Sequence, residues 1–332
     1  VAKYGFMQLP SAPPLDWTES YPLWTRMNIE THSRCNRRCR FCPQYHGRRE
    51  GDVVMRKPLF TTICDELKTL GFAGVIEMFL LDEPLINPEY AWFIETARAF
   101  LPRVTLYTST NADVLLALDE DKAIARLNAL YTRGLNVVNL NVYDRGEDRL
   151  LTTEKFMDAV VAAGVAEETS YAGKYRKHSP KKRLITITDM RLERDTCSVT
   201  ASVNNRSTED RKTRLAHRWF CARPMRHLVV RYDGLVPICC VVDATDDDSV
   251  YAGDANDQSL HSIWNSKVYA IYRYFLQSKR RVLPECDTCN HKHAFMHVHR
   301  KIRVPNEVAV GWEEKLRAYE AGDKRAFTGV IP

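Results

Sequence analysis

Ten cysteines constrain this 332-residue chain more than any other feature. They stand at positions 35, 39, 42, 64, 197, 221, 239, 240, 286 and 289. Three fall close together and five more lie from residue 221 onward. A secreted disulfide framework spreads its cysteines more evenly and follows an export signal. The opening segment, VAKYGFMQLPSAPPLDW, has no apolar core of that kind. Clustered thiols in such a chain point to metal or iron–sulfur ligation in a reducing, cytoplasmic compartment. Disulfide staples are not needed, because a chain of this length buries roughly three-quarters of its unfolded surface. Apolar residues make up 45% and charged residues 27%, which excludes a disordered chain. No run of 18 apolar residues occurs, so no membrane partner is expected.

Between residues 26 and 205 the chain alternates strand and helix. Met27–Glu30, Val75–Leu81, Val104–Thr108, Asn136–Val142, Leu184–Thr188 and Ser198–Val203 read as strands. Phe60–Leu70, Pro88–Phe100, Asp119–Arg133 and Glu154–Ala163 read as helices, the last two closed by Gly134 and Gly164. Such alternation forces parallel neighbours with right-handed crossovers. About six units fit, whereas a closed eight-unit barrel needs ~250 residues. The expected fold is therefore α/β: a partial (β/α)6, TIM-like barrel, with its active site at the carboxyl ends of the strands. Residues 1–25 read as an N-terminal arm, 26–205 as the barrel, 206–303 as a small iron–sulfur domain of β-hairpin and helix, and 304–332 as a C-terminal tail or helix. In the third segment Leu228–Arg231 and Val236–Ile238 flank a Tyr232-Asp233-Gly234 turn, and Leu260–Phe275 is an amphipathic helix.

The loop after the first strand reads Cys35-Asn-Arg-Arg-Cys39-Arg-Phe-Cys42. Three thiolates at this spacing can hold one face of an iron–sulfur cube and leave the fourth iron open to chemistry, whereas clusters usually have four cysteine ligands. The alternative is a zinc knuckle that takes His32 or His46 as its fourth ligand.

This loop resembles the cluster motif of the radical S-adenosylmethionine (radical SAM) superfamily. The resemblance implies a [4Fe–4S] cluster on Cys35, Cys39 and Cys42, whose open iron binds S-adenosylmethionine. Reductive cleavage of that molecule gives a 5′-deoxyadenosyl radical, which abstracts hydrogen from a substrate. By position, Phe41 would line the adenine side. Leu81-Asp82-Glu83-Pro84 stands where the family usually shows Gly-Gly-Glu-Pro. Glu83 then matches the acceptor for the cosubstrate's amino group, while both glycines are replaced. Ser109, Thr110 and Asn111 resemble the polar strand end that contacts the methionine carboxylate or ribose. Asn139 and Asn141 alternate along one strand, share a face, and are candidates for ribose contact.

Cys221, Cys239, Cys286 and Cys289 supply four thiolates, enough for a fully ligated [4Fe–4S] cluster or a zinc ribbon. The segment resembles the shortened SPASM, or twitch, domain of radical SAM enzymes, which implies one auxiliary cluster. Its arrangement and cysteine spacing resemble the 2-deoxy-scyllo-inosamine dehydrogenase type. A fully ligated cluster cannot bind substrate, but it can take an electron from a substrate radical.

Cys240 adjoins a ligand position without being needed as one, and is a candidate hydrogen donor in an epimerase; Cys197 is a weaker one. Cys64 sits on an apolar helix face and reads as core. The tract His291, His293, His297 and His299 and the run Lys174–Arg183 read as solvated. The expected function is a radical SAM oxidoreductase of natural-product type, acting on an aminocyclitol, sugar or nucleoside and receiving electrons from a flavodoxin or ferredoxin. A ribosomal-peptide substrate with epimerisation is the second reading. The third is a zinc or iron–sulfur nucleic-acid-binding protein that uses the basic segments, since the net charge is +6; without interleaved aromatics, no nucleic-acid partner is expected.

Overall fold

The computed structural model describes residues 14–39, 42, 44, 51–144, 147–169, 181–190, 221–240, 251–277, 283, 286 and 301–323. The expected strand at Ser198–Val203, Cys197, the histidine tract, the first part of the arm and most of the Lys174–Arg183 run lie outside them.

The strands are β1 (Leu15–Asp16), β2 (Arg26–Ile29), β3 (Val75–Glu77), β4 (Thr105–Thr110), β5 (Val137–Val142), β6 (Glu167–Glu168), β7 (Leu184–Asp189), β8 (His227–Val230), β9 (Leu235–Pro237), β10 (Tyr251–Asp254) and β11 (Ile302–Arg303). The helices are α1 (Lys57–Thr69), α2 (Tyr90–Phe100), α3 (Asp113–Leu116), α4 (Glu120–Thr132), α5 (Glu147–Ala162), α6 (Leu260–Trp264), α7 (Lys267–Gln277) and α8 (Asn306–Glu320). Seven strands form one parallel sheet in the order β6-β7-β5-β4-β3-β2-β8. This is the α/β architecture that strand–helix alternation requires.

The sheet's two faces differ in chemistry. Met27, Ile29, Ile76, Leu106, Val138, Leu140, Ile185, Leu228 and Val230 join the main apolar cluster. The helices close over that face, with Phe60 of α1 edge-on to Phe93 of α2 at 4.8 Å between ring centres. The alternate positions face the other way. There Val75, Tyr107, Val137 and Leu184 make a small apolar floor. Beyond it the row turns polar, with Asn28, Glu77, Ser109, Asn139, Asn141, Thr186 and Thr188.

Three elements depart from the sequence reading. The strand expected over Val75–Leu81 ends at Glu77: Met78 N–H still donates to the Tyr107 carbonyl, and beyond it carboxylates capture two amides. Leu80 N–H donates to Asp82 Oδ1 at 2.9 Å and Leu81 N–H to Glu30 Oε1 at 3.0 Å. The helix expected over Leu260–Phe275 is two helices. At the break, Asn265 Nδ2 donates to the His261 carbonyl and Asn265 Oδ1 accepts from the Tyr21 amide, side-chain bonds that compete with the backbone ladder. The first strand of the C-terminal segment pairs parallel with β2, Arg26 opposite His227, and so extends the central sheet, while β9 pairs antiparallel with β10. Near the chain ends, β1 pairs with β11, and Trp312 of α8 packs edge-on to Trp17 and Tyr274.

Gly134 stops α4 with φ at +117°, in the left-handed region. Its carbonyl accepts from Arg98 Nε at 3.1 Å and Nη2 at 2.8 Å, and a Cβ there would stand 2.5 Å from Arg98 Cγ. Gly134→Ala is expected to cost about 1–3 kcal/mol of stability, read as a lowered urea midpoint at unchanged m-value.

Candidate active site

The first cysteine loop leaves the carboxyl end of β2 and is tied to the ends of the neighbouring strands. Gln44, buried, donates through Nε2 to the carbonyls of Leu81 (2.8 Å) and Ser33 (3.3 Å). Glu83 N–H donates to the Arg34 carbonyl at 3.0 Å. Cys42 N–H donates to the Cys39 carbonyl at 2.9 Å, closing a turn between two of the three thiols. Arg37 N–H donates to Cys35 Sγ at 3.4 Å.

The thiols of Cys39 and Cys42 lie within reach of the Cys35 thiol's field. Burial pushes the Cys35 thiol up to about 12, and the negative charges of Glu83, Cys42 and Cys39 add to it against the Arg37 amide. Among the described residues, no group of three or more His, Cys, Asp or Glu side chains is placed to hold a metal ion, so the three thiols stay the ligand set that the sequence suggests. His32, the alternative zinc ligand, is bonded through Nε2 to Asp52. His46 lies outside the described residues.

Glu83 is 2% exposed. Its Oε1 accepts from Leu85 N–H at 3.1 Å and from Thr110 Oγ1 at 2.6 Å, and its Oε2 accepts from Asn111 N–H at 2.7 Å. Burial nevertheless raises its carboxyl to about 6, opposed by these three donors and assisted by the charge of Asp113. A carboxylate this buried is stabilised by an ammonium group, which S-adenosylmethionine carries. Thr110 and Asn111, expected beside the cosubstrate, hold Glu83 in place.

Ser109, Asn139 and Asn141 form a second polar group. Ser109 Oγ accepts from Asn139 Nδ2 at 2.9 Å and Asn141 Nδ2 at 2.7 Å, Asn139 Nδ2 also donates to Asn141 Oδ1, and Thr188 Oγ1 donates to Asn139 Oδ1 at 2.7 Å. This ladder crosses β4, β5 and β7 on the polar face. Phe41 lies outside the described residues.

Sequence reasoning missed the clamp that fixes the cysteine loop. Arg37, between the first two cysteines, donates through Nε and Nη2 to Asp113 at 2.6 and 2.5 Å and through Nη1 and Nη2 to Asp144 at 3.1 and 2.8 Å. Arg149 Nη2 reaches the same Asp113 at 2.5 Å. Asn111 Nδ2 donates to Asn36 Oδ1 at 2.7 Å and Asn36 Nδ2 to Asp113 at 3.2 Å. Tyr143 senses the charge of Cys39, Glu83, Cys35 and Cys42. Its position just past β5, like the three arginines inside the cysteine loop, was the available signal.

Cys221, Cys239 and Cys240 lie near the start of β8. Cys221 N–H donates to the Leu276 carbonyl at 3.3 Å, and Cys221, Cys239 and Cys286 pack against one apolar cluster. Cys239 is coupled to Cys240, whose hydrogen bond and the surrounding burial push the Cys239 thiol well up, with Cys221 adding charge. Cys240 is held well below the ordinary thiol range by Cys239, Arg223 and His227, against burial. Arg223 Nη1 donates to Cys240 Sγ at 2.6 Å. Arg223 is half-buried beside Cys240, and Cys289 lies outside the described residues. Cys64 is buried in α1, and burial pushes its thiol up to about 12, as suits a core residue.

A family model described as SPASM, an iron-sulfur cluster-binding domain, matches residues 221–290. The S-adenosyl-L-methionine-dependent 2-deoxy-scyllo-inosamine dehydrogenase of Niallia circulans is 31% identical over 93 residues. The chain therefore carries a SPASM-type segment over residues 221–290. The aligned stretch is 28% of this chain and spans 37% of that relative's length. In fold, the chain is similar to BtrN in complex with AdoMet and 2-DOIA, with a TM-score of 0.55, 20% identity, and 81% of this chain and 92% of that one covered. Against BtrN in an open conformation the TM-score is 0.55 at 19% identity, over 83% and 99%. Among the described residues, no helix is long and apolar enough to cross a membrane.

Two outcomes follow from this geometry. Glu83 has a folded-state value near 6 against an ordinary 4.5, so its protonation stabilises the fold, and that share is present below about 4.5 and lost as pH rises through about 6. In the metal- and ligand-free protein, wild type is expected to gain about 2 kcal/mol over Glu83→Gln between pH 7.5 and pH 4.5, read by urea unfolding at each pH. Asp113→Ala is expected to cost about 1–2 kcal/mol and to lower the iron retained by the first cluster after gel filtration.

Proposed function

We propose that this protein uses S-adenosylmethionine to oxidise a small polar substrate of the aminocyclitol type by two electrons. The observation that carries the reading is the juxtaposition of Cys35, Cys39 and Cys42 with the buried Glu83 at the carboxyl end of a parallel sheet. When bound, a three-cysteine [4Fe–4S] cluster with S-adenosylmethionine supplies a 5′-deoxyadenosyl radical.

The residues have distinct tasks in this reading. Cys35, Cys39 and Cys42 hold the first cluster. Glu83, fixed by Thr110 and Asn111, accepts from the ammonium group of the cosubstrate. Ser109, Asn139 and Asn141 offer amide and hydroxyl groups to its ribose or carboxylate, and Phe41 flanks its adenine. Cys221, Cys239, Cys286 and Cys289 hold the auxiliary [4Fe–4S] cluster. Such a deoxyadenosyl radical would take one hydrogen atom from a carbinol carbon of the substrate, and an auxiliary cluster would accept the second electron as the hydroxyl proton passes to a base, giving a ketone. The electron that starts turnover comes from a flavodoxin or ferredoxin.

Two observations support this substrate class. The polar row on the open sheet face suits a hydroxylated ligand. The curated relative named above is a dehydrogenase of 2-deoxy-scyllo-inosamine. Epimerisation with Cys240 as hydrogen donor is the second reading. The Arg223 donor at 2.6 Å from Cys240 Sγ weighs against it, because it favours a thiolate, which has no S–H hydrogen to give.

Anaerobic reconstitution is expected to load about eight irons per chain, two cubes. With dithionite, S-adenosylmethionine and 2-deoxy-scyllo-inosamine deuterated at its carbinol carbons, deuterium is expected in 5′-deoxyadenosine and a ketone in the product. Zinc with no 5′-deoxyadenosine overturns the radical reading. Deuterium transfer with an inverted alcohol, abolished in Cys240→Ala, establishes the epimerase.

A further inference from the structure

Asn28 stands in β2 between Met27 and Ile29, which both join the main apolar cluster. Strand alternation therefore puts its side chain on the polar face of the sheet. It is 3% exposed. Its Nδ2 donates to the Phe79 carbonyl at 2.8 Å, which fixes the orientation of the amide. Its Oδ1 is buried and has no hydrogen-bond partner among the described residues. Burying an acceptor unsatisfied is costly, and an apolar side chain of the same size avoids that cost. The amide thus marks a place for a donor that arrives with a ligand.

Glu77 stands opposite Asn28 in register, on the same face, and is buried too. Arg26 occupies its Oε1. Among the described residues its Oε2 meets only His227 Nε2, at 3.6 Å, too long for a hydrogen bond. That oxygen is left for a second cation. The next residue in this register is Tyr107, whose ring lies edge-on to Phe79 with 5.3 Å between centres. One layer of the sheet therefore offers two oxygen acceptors, one of them a carboxylate, beside two aromatic rings.

We propose that Asn28 and Glu77 bind the amino group of the substrate and so select an aminocyclitol over a plain cyclitol. This inference rests on the functional reading above and deepens it. The amino group of such a ring is an ammonium at neutral pH, with three N–H donors and no lone pair, as in a lysine side chain. It can satisfy Asn28 Oδ1 and Glu77 Oε2 together. The bond to the carboxylate is charge-assisted, and the low dielectric of a buried site strengthens it. A hydroxyl has a single donor, so it satisfies one acceptor and sets its own lone pairs against the other. The carbon–hydrogen face of the ring suits the aromatic rings of Tyr107 and Phe79.

The test is calorimetric. The full-length protein, reconstituted anaerobically and saturated with S-adenosylmethionine, is titrated without reductant, so that binding is read and no turnover occurs. The probes are 2-deoxy-scyllo-inosamine and the same ring with a hydroxyl in place of its amino group. The parent is expected to bind the amine about 10-fold or more tightly than the hydroxyl probe. Asn28→Leu and Glu77→Gln are each expected to weaken the amine more than the hydroxyl probe, and so to shrink this preference several-fold. Asn28→Asp keeps the acceptor, adds a charge, and is expected to retain the preference. A parent that binds the amine no more tightly than the hydroxyl probe overturns the inference. So does a preference unchanged in either Asn28→Leu or Glu77→Gln, including equal weakening of both probes, which is what a merely structural change produces. Should one of these two variants fail to fold by circular dichroism, the other decides alone. A parent that binds neither probe overturns the functional reading together with this inference, whereas binding with an unmoved preference overturns the inference only.

Discussion

The ion pair between Arg37 and Asp113 is the constraint on which the site depends. A loop carrying three thiols has no ladder of its own to hold it. Here the loop is anchored through charge, because Arg37 lies between its first two cysteines and reaches both Asp113 and Asp144 beyond the neighbouring strands. Arg149 balances the second side of Asp113. Both pairs are partly buried, Arg37 at 16% and Asp113 at 28% side-chain exposure, so bulk water does not screen them fully. The same stretch that carries Asp113 begins with Asn111, whose backbone N–H binds Glu83. Cysteine loop and buried carboxylate are therefore held by one segment after β4, and neither can shift without the other.

The carboxylates at the carboxyl ends of β2 and β3 do a related job. Glu30 and Asp82 take the amides of Leu81 and Leu80 out of the strand ladder. This ends β3 early and lets Glu83 turn inward, where Pro84 starts a short 3-10 turn and Glu83 caps it by accepting from Leu85. The usual glycines at this place are Leu81 and Asp82 here, so the turn is made by side-chain hydrogen bonds and not by backbone freedom.

Much of this was legible in the chain. The strand–helix period gave the parallel sheet, since each strand's two faces are decided by residues within a few positions. The first cysteine loop stood out for the same reason, since thiols two or three residues apart in sequence stay near one another in the chain. What the sequence hid is contact at a distance. Arg37 and Asp113 are 76 residues apart, and nothing local marks them as partners. Thr110 and Asn111 read correctly as polar groups at a strand end, but their partner was not readable, because Glu83 sits on another strand's loop. The break at Asn265 depends on Tyr21, 244 residues away. The place of β8 was hidden in the same way. Leu228, Val229 and Val230 signal a strand, but only tertiary pairing decides that its neighbour is β2 and not β9.

That pairing bears on why one chain carries two sulfur groups. Arg26 opens β2 and lies opposite His227, which opens β8. The first cysteine loop follows the far end of β2. His227 Nδ1 lies 3.9 Å from Cys240 Sγ, and its Nε2 lies 3.6 Å from Glu77 Oε2 on the polar sheet face. The two sulfur groups are therefore set toward opposite ends of the same pair of strands, with Asn28 and Glu77 between them. In the proposed oxidation, a cluster held at this end of the polar face, beside the half-buried Arg223, would lie across that face from the first cysteine loop.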